Sequence, residues 1–266
     1  MKSPFLKQTR VGHVLVLTLD RPETYNAISD DEAIDALLEA CAEINRDLGV
    51  RAVILTGTGP AFSSGGNLKM LREQLGTGCG LPAMSRYAYR NGIQRVPLAL
   101  HNLEVPTIAA VNGHALGAGN DLACMCDIRI ASHHARFASS FIKLGLLPGD
   151  GGAWLLPRVI GRSRAAEMAY TGRTIDAAKA LEYGLVSSVV QPDELMPAAM
   201  ELAQEIAVHS GHALRMTKRL MREAEHASLA TLLEMSAAFQ ALAHHTPEHE
   251  QALDVFLASR PGATRC

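Results

Sequence analysis

The chain has 266 residues, 48% of them hydrophobic and 20% charged, with a formal net charge of −2. That content suits one large or two small globular domains with a sizeable core. So small a net charge excludes the strong field expected of a nucleic-acid binder or of a protein held on an anionic membrane, although a local basic patch can still hold a phosphorylated ligand.

Met1-Lys-Ser-Pro-Phe5 runs into polar residues and not into an apolar secretory stretch. His13-Val-Leu-Val-Leu-Thr-Leu19 is β-branched and aliphatic and predicts a strand, broken by Asp20-Arg-Pro-Glu-Thr24. Ser29-Asp-Asp-Glu32 reads as a capping box, followed by a helix from Ala33 to Leu48 with Ile34, Leu37, Leu38, Cys41 and Ile44 at helical spacing. Ala52-Val-Ile-Leu-Thr56 predicts a second, buried strand, and a Gly/Ser-rich loop from Gly57 to Asn67 follows. Leu68 to Ala99 is mixed, with Gly76, Gly78 and Gly80 suggesting a mobile piece between helices. Thr107 to Val111 predicts a third strand ending in Asn112-Gly113. Gly117-Ala-Gly119 leads into an apolar helical piece, Leu122 to Met125, and Asp127 to Ala131 predicts a fourth strand. After Gly149-Asp-Gly-Gly152, helices are predicted over 165–170, 177–182, 194–208, 213–224 and 229–244.

Strands alternating with helices, then helices alone, argue for an α/β core and a helical C-terminal region. The boundary falls between Val190 and Gly211, taken as residues 1–200 and 201–266. No run of about 18 apolar residues occurs, so no spanning helix is expected. Five cysteines, an odd number without framework spacing, fit a reduced, cytoplasmic setting. Cys124 and Cys126 read as small core residues, since no second ligand pair follows at zinc spacing, and no metal site is expected. His244 and His245 sit near a polar helix end and read as solvated.

Two glycine-containing turns carry the chemistry. One is Ala61-Phe-Ser-Ser-Gly-Gly-Asn-Leu68, after a strand; the other is Asn112-Gly-His-Ala-Leu-Gly-Ala-Gly-Asn-Asp-Leu122, between a strand and a helix. Neither is a nucleotide fingerprint, and no phosphate loop or G-x-S-x-G elbow occurs. Each turn can aim a free backbone N–H into a cleft. Two such donors on one oxygen form an oxyanion hole, worth ~3 kcal/mol per donor in acyl chemistry. A helix N-terminus adds its positive end.

Phe62-Ser-Ser-Gly-Gly-Asn-Leu68 resembles the first signature loop of the crotonase (enoyl-CoA hydratase/isomerase) superfamily, and Asn112 to Ile128 resembles the second. Arg21 to Ala27, Gly145 to Gly152, Leu155 to Gly161 and Ala178 to Val190 are similar to further family segments. The resemblance covers most of the chain, from about Val14 to the C-terminal helices. It implies a ClpP-like right-handed spiral of repeated ββα units (1–200) that binds an acyl-coenzyme A thioester. It also implies a helical region (201–266) that packs between subunits of a homotrimer or dimer of trimers. The apolar faces of the C-terminal helices suit such a contact or an intramolecular core. No cofactor is implied beyond the coenzyme A carried by the substrate.

Residue roles follow from the same resemblance. Gly66 and Ala118 take the oxyanion-donor positions. Ser64, Gly65, Asn67, Leu68 and Gly117 line the coenzyme A and thioester pocket, and Asn26 and Ala27 match the turn that contacts the nucleotide. Asp121 matches the first catalytic carboxylate of the hydratases. Asn67 replaces a common Asp with a mainly structural role. Near the C-terminus Phe256 matches a residue at the adenine end and Arg260 a phosphate contact, while Ser259 replaces the usual Lys.

The second hydratase Glu is replaced by Phe141, which can neither hold water nor move a proton. Isomerisation or specialised lyase chemistry is therefore favoured over simple hydration, with Asp121 and Asp150 as acid/base candidates. Relatives often carry an Asp one position before Asp150, where this chain has Gly149. The bland alternatives are a helix cap for Asp150 and a solvated first-turn Asp for Asp121. His114 is expected to pack under its loop, and Lys143, Lys218 and Arg219 to be solvated. Met84, Tyr87 and Tyr89, in the segment from Leu71 to Arg95, are read as shaping the acyl pocket. Alternative functions are a hydrolase of a CoA thioester or β-diketone on the same scaffold, and a non-catalytic CoA-ester binder.

Overall fold

A computed structural model describes residues 5–76 and 81–258. The chain opens with a hairpin absent from the sequence reading, β1 (Leu6–Val11) antiparallel to β2 (Val14–Leu19). β2 is covered on both faces, which is why it reads as a continuous aliphatic run. α1 (Asp31–Arg46) does not start with a Ser29 capping box. The Asp30 carboxylate accepts from Ala33 N at 2.8 Å, leaving Ser29 Oγ to accept from Asn67 N at 3.0 Å. A carboxylate at that point makes the stronger, charge-assisted cap.

Three strand pairs then follow: β3 (Ala52–Gly57) with β4 (Ala61–Ser63), β5 (Thr107–Val111) with β6 (His114–Leu116), and β7 (Ile128–Ser132) with β8 (Arg136–Ala138). In each pair the first strand joins one sheet and the second strand another. The described residues form a six-stranded sheet ordered β1-β2-β3-β5-β7-β10, with β10 spanning Ser188–Val190. Its strands run parallel beyond the opening hairpin. The second sheet is ordered β4-β6-β8-β9, with the short β9 (Ile175–Asp176) antiparallel at its edge. Helices close each turn of this spiral. α2 (Leu68–Gly76), α3 (Pro82–Asn91) and α4 (Arg95–His101) follow β4, and α5 (Ala118–Met125) follows β6. α6 (Gly152–Ile160) and α7 (Arg162–Thr171) follow β8, and α8 (Ala177–Tyr183) leads to β10.

One face of the large sheet, with Leu17, Leu55 and Ala109, packs in the main core with α1, α5 and the second sheet. The other face, with Val14, Val16, Ile54, Ile108 and Ile130, is covered by α9 (Leu195–Ala207) through Leu195, Ala199, Ala203 and Ala207. That i, i+4 row of mostly alanines lets the helix lie close to the strands. α9 crosses position 200, so a division between 200 and 201 cuts a helix whose buried face is continuous.

α10 (Gly211–Glu223) is pinned to the core by basic side chains. Arg215 Nη2 donates to Ile44 O at 3.2 Å and Asp47 O at 3.0 Å, at the C-terminal end of α1, and its Nη1 donates to Glu104 at 2.9 Å. The last carbonyls of a helix lack internal partners and carry its negative dipole end, so a guanidinium suits them. Lys218, expected to be solvated, instead donates to Val105 O at 2.9 Å and Asp127 Oδ2 at 2.7 Å. Arg219 is half exposed and pairs with Glu223 on its own helix. α11 (Leu229–His244) and α12 (Pro247–Ala258) bury no residue, and Leu229, Leu233 and Leu242 are 73%, 59% and 63% exposed. Their apolar side chains are thus not core within one chain. Among the described residues, no helix is long and apolar enough to cross a membrane.

Candidate active site

The parallel pairing of β4 with β6 sets Ser63 opposite Ala115, so the turns that follow the two strands emerge at one level. They touch through main chain. A Cβ on Gly65 would lie 2.6 Å from Leu116 O and 2.7 Å from Ala118 N, and one on Gly119 would lie 2.0 Å from Ser63 O. Gly65 and Gly117 hold φ of +79° and +55°, a region that side chains with a Cβ rarely adopt.

The amides around the two turns are occupied. Ser64 N donates to Tyr25 O at 2.8 Å, Gly65 N to Ser63 Oγ at 3.1 Å, Asn67 N to Ser29 Oγ at 3.0 Å and Gly117 N to Ala138 O at 2.8 Å. Gly66 N–H and Ala118 N–H have no acceptor among the described residues. Ala118 is the first residue of α5, where an N–H has no intrahelical partner and the dipole favours negative charge.

Asp121 lies one turn beyond Ala118, on the same face of α5. It is fully buried, not a solvated first-turn residue. A Cβ on Gly152, in the first turn of α6, would lie 2.2 Å from Asp121 Oδ2, so only glycine leaves room for the carboxyl. Asn120 Nδ2 donates to Asp121 Oδ1 at 3.5 Å, while Asp121 Oδ2 and Asn120 Oδ1 have no partner among the described residues. Burial, and next the charge of Asp150, hold the Asp121 carboxyl well above the usual carboxylate range.

Asp150 is 5% exposed, and burial pushes its carboxyl up to about 6. It does not cap α6. Gly151 stands at the cap position with no side-chain hydrogen bond. Asp121 is the more deeply buried of the two. Two carboxyls that interact in this way resist ionising together.

The remaining predicted residues divide. Asn26 is fully buried; its Nδ2 donates to Thr58 O at 2.9 Å and Ala61 O at 2.8 Å, and its Oδ1 accepts from Arg21 N at 2.8 Å. It braces the β4 turn instead of offering its side chain to a ligand. Ala27 is buried beside it. Ser64 Oγ donates to Thr24 O at 3.3 Å. Asn67 Oδ1 accepts from Lys69 N at 3.0 Å, a structural use that an Asp would also serve. Leu68 is 60% exposed on α2. Phe141 borders the turn: a Cβ on Gly117 would lie 3.8 Å from its ring. Gly149 adjoins Tyr89. Phe256 is half exposed on α12, and Ser259 and Arg260 lie outside the described residues. His114 is exposed on β6, not packed under the loop, because the strand alternation turns Ala115 inward in its place. Lys143, His244 and His245 are exposed as expected. Cys124 and Cys126 are buried core residues with thiols pushed up to about 12 by burial. Sequence reasoning missed Ser29, Asn120 and Gly152 as parts of the site. Gly152 stood in a quoted segment, but its contact with Asp121 joins positions too far apart for local pattern to reveal.

The family model described as "Enoyl-CoA hydratase/isomerase" matches residues 9–262. The chain belongs to the enoyl-CoA hydratase/isomerase family. Members similar to it carry different reactions in their names. The 1,2-epoxyphenylacetyl-CoA isomerase of Escherichia coli is 38% identical over 248 residues, 93% of each chain. The short-chain-enoyl-CoA hydratase of Clostridium acetobutylicum is 35% identical over 253 residues, 94% of this chain and 93% of that protein. The solved structure of an enoyl-CoA hydratase from Bacillus anthracis matches with a TM-score of 0.88 at 34% identity, covering 96% of this chain and 97% of the other. The two-sheet spiral is thus the crotonase fold, and the chain is an acyl-CoA enzyme of the enoyl-CoA hydratase/isomerase type.

Proposed function

We propose that this enzyme moves a proton between carbons of an acyl-CoA thioester, with double-bond isomerisation as the leading reaction. The observation that carries the reading is a pair of unclaimed amides, at Gly66 and Ala118, together with two buried carboxyls, Asp121 and Asp150. The thioester oxygen accepts from both N–H groups. Asp150, ionised above its raised pKa, takes a proton from the α or γ carbon, and negative charge grows on the oxygen that the amides and the α5 terminus face. Asp121, neutral and one helical turn away, returns a proton to the other carbon. The scheme uses no cofactor beyond the coenzyme A of the substrate, which lies along Ala27, Ser64, Gly65, Asn67 and Leu68.

The same carboxyl pair supports a second reading. Hydration of a C=C bond needs two groups to hold a water and exchange its protons, and Asp150 supplies the second group that Phe141 does not. The exposed leucines of α11 support association of copies, a homotrimer or dimer of trimers, through the helices that one chain leaves uncovered.

A screen of short, long, branched and aromatic 2- and 3-enoyl-CoAs, read by mass spectrometry and a thiol reagent, tests these readings. Isomerisation leaves the mass unchanged and shifts the double bond, hydration adds one water, and thioester hydrolysis frees the thiol. Asp121→Asn and Asp150→Asn run alongside. Wild-type rates in both variants would remove the carboxyl pair from the mechanism.

A further inference from the structure

We propose that Gln94 is the positioning residue for Asp150, setting its orientation through the peptide bond that precedes it. This rests on Asp150 acting as the base. Asp150 lies in an irregular stretch between the 3-10 turn Ser140–Leu144 and α6, with Gly149 before it and Gly151 after it. Glycines on both sides leave the backbone there free to adopt many conformations, so something outside the stretch must choose one.

The segment 89–97 makes that choice at both flanks. Gln94 Nε2 donates to Gly149 O at 2.7 Å. Beside that bond a Cβ on Gly149 would meet the Tyr89 ring at 3.4 Å, and one on Gly151 would meet Pro97 Cβ at 3.3 Å. Gln94 is itself anchored, since its N–H donates to Tyr89 O at 3.1 Å and Arg95 N donates to Gly92 O at 3.0 Å.

The Gly149 carbonyl and the Asp150 N–H share one rigid peptide plane. Fixing that carbonyl fixes the plane from which the Asp150 side chain departs. The primary amide suits the task because it offers a neutral donor. A carboxylate at position 94 would set an acceptor against an acceptor, and it would add a second negative charge near Asp150. The arrangement also joins the acid/base loop to α3, which carries Met84, Tyr87 and Tyr89, so the pocket segment and the base are held as a unit.

The test uses Gln94→Met, which keeps the bulk and loses the donor, and Gln94→Glu, which keeps the shape and reverses the polarity. Each is made in the wild-type chain and in Asp150→Asn, and assayed with the enoyl-CoA turned over fastest in the screen above. Losing one such hydrogen bond is expected to lower kcat about three- to tenfold for Gln94→Met, and further for Gln94→Glu, with KM changed less than about twofold. In the Asp150→Asn background neither change should lower kcat again. Thermal melting of each variant confirms a folded chain. If the loss in kcat is as large without Asp150 as with it, or falls on KM alone, Gln94 serves packing only and the inference is wrong while the reading of Asp150 stands. If Asp150→Asn itself leaves kcat unchanged, both fall together.

Discussion

Replacing Gly65 by alanine tests the two-amide site without touching an ionisable group. The new Cβ would sit 2.6 Å from Leu116 O and 2.7 Å from Ala118 N, both main-chain atoms that cannot rotate away. Two costs add. A side chain at φ +79° costs ~1–2 kcal/mol. Forcing the β4 turn away from the start of α5 costs ~1–3 kcal/mol more, the usual range for overpacking. The displacement separates the two donors, and loss of one oxyanion donor lowers kcat by about 10²- to 10³-fold. Gly12→Ala is the control. Its φ is +60° and nothing lies within 4 Å of the added carbon, so it bears the conformational cost alone. Steady-state kinetics and thermal melting of both variants give the answer. Gly65→Ala is expected to lose both stability and kcat, and Gly12→Ala stability only. A folded Gly65→Ala enzyme with kcat within about threefold of wild type would mean that the paired amides do not carry the charge.

Further outcomes follow from the same geometry. The folded-state pKa of Asp150, about 6, lies above the unfolded value of 3.8, so between them the folded chain binds more protons and stability falls as pH rises. At ~1.4 kcal/mol per tenfold change in proton affinity, that penalty reaches ~3 kcal/mol above pH 6, so melting of Asp150→Asn should gain on wild type from about pH 4 to 6 and stay level beyond; a constant gap across that window would refute it. In kinetics, kcat/KM should rise with an apparent pKa near 6, and that limb should vanish in Asp150→Asn. Lys218→Met removes the lysine donor from Val105 O and from Asp127 Oδ2, which keeps Thr107 N and Oγ1, and should destabilise the chain by ~2 kcal/mol in urea unfolding, with kcat unchanged. Leu233→Asp should lower the mass measured by light scattering if α11 joins copies of the chain, and leave it unchanged if it does not.

Of the six strands of the large sheet, β1 and β10 went unread, whereas β2, β3 and β5 were legible as aliphatic runs buried on both faces and β7 by its Ile128 and Ile130. β4, β6 and β8 were not, since three residues are too few for any alternation to stand out. These short strands, however, are what bring the two glycine turns together, so the turns were readable as motifs and their juxtaposition was not. Asp121 appeared as a polar residue on an apolar helix. Its depth comes from Gly152 at the start of α6, a contact between segments 31 positions apart that no local pattern encodes. Lys218 was misread for the opposite reason: its partners are main-chain and carboxylate oxygens at 105 and 127, invisible in a helix whose own neighbours are charged.

Because the two free donors belong to peptide groups, no exchange of one side chain for another deletes either of them, proline excepted. Other replacements act by crowding them, as at Gly65 or Gly119, where an added Cβ would meet main-chain atoms. The carboxyls, Phe141 and the glycine before Asp150 are under no such restraint. On the proposed mechanism, divergence on this scaffold can therefore rewrite which atom gains or loses a proton while the paired amides stay in place.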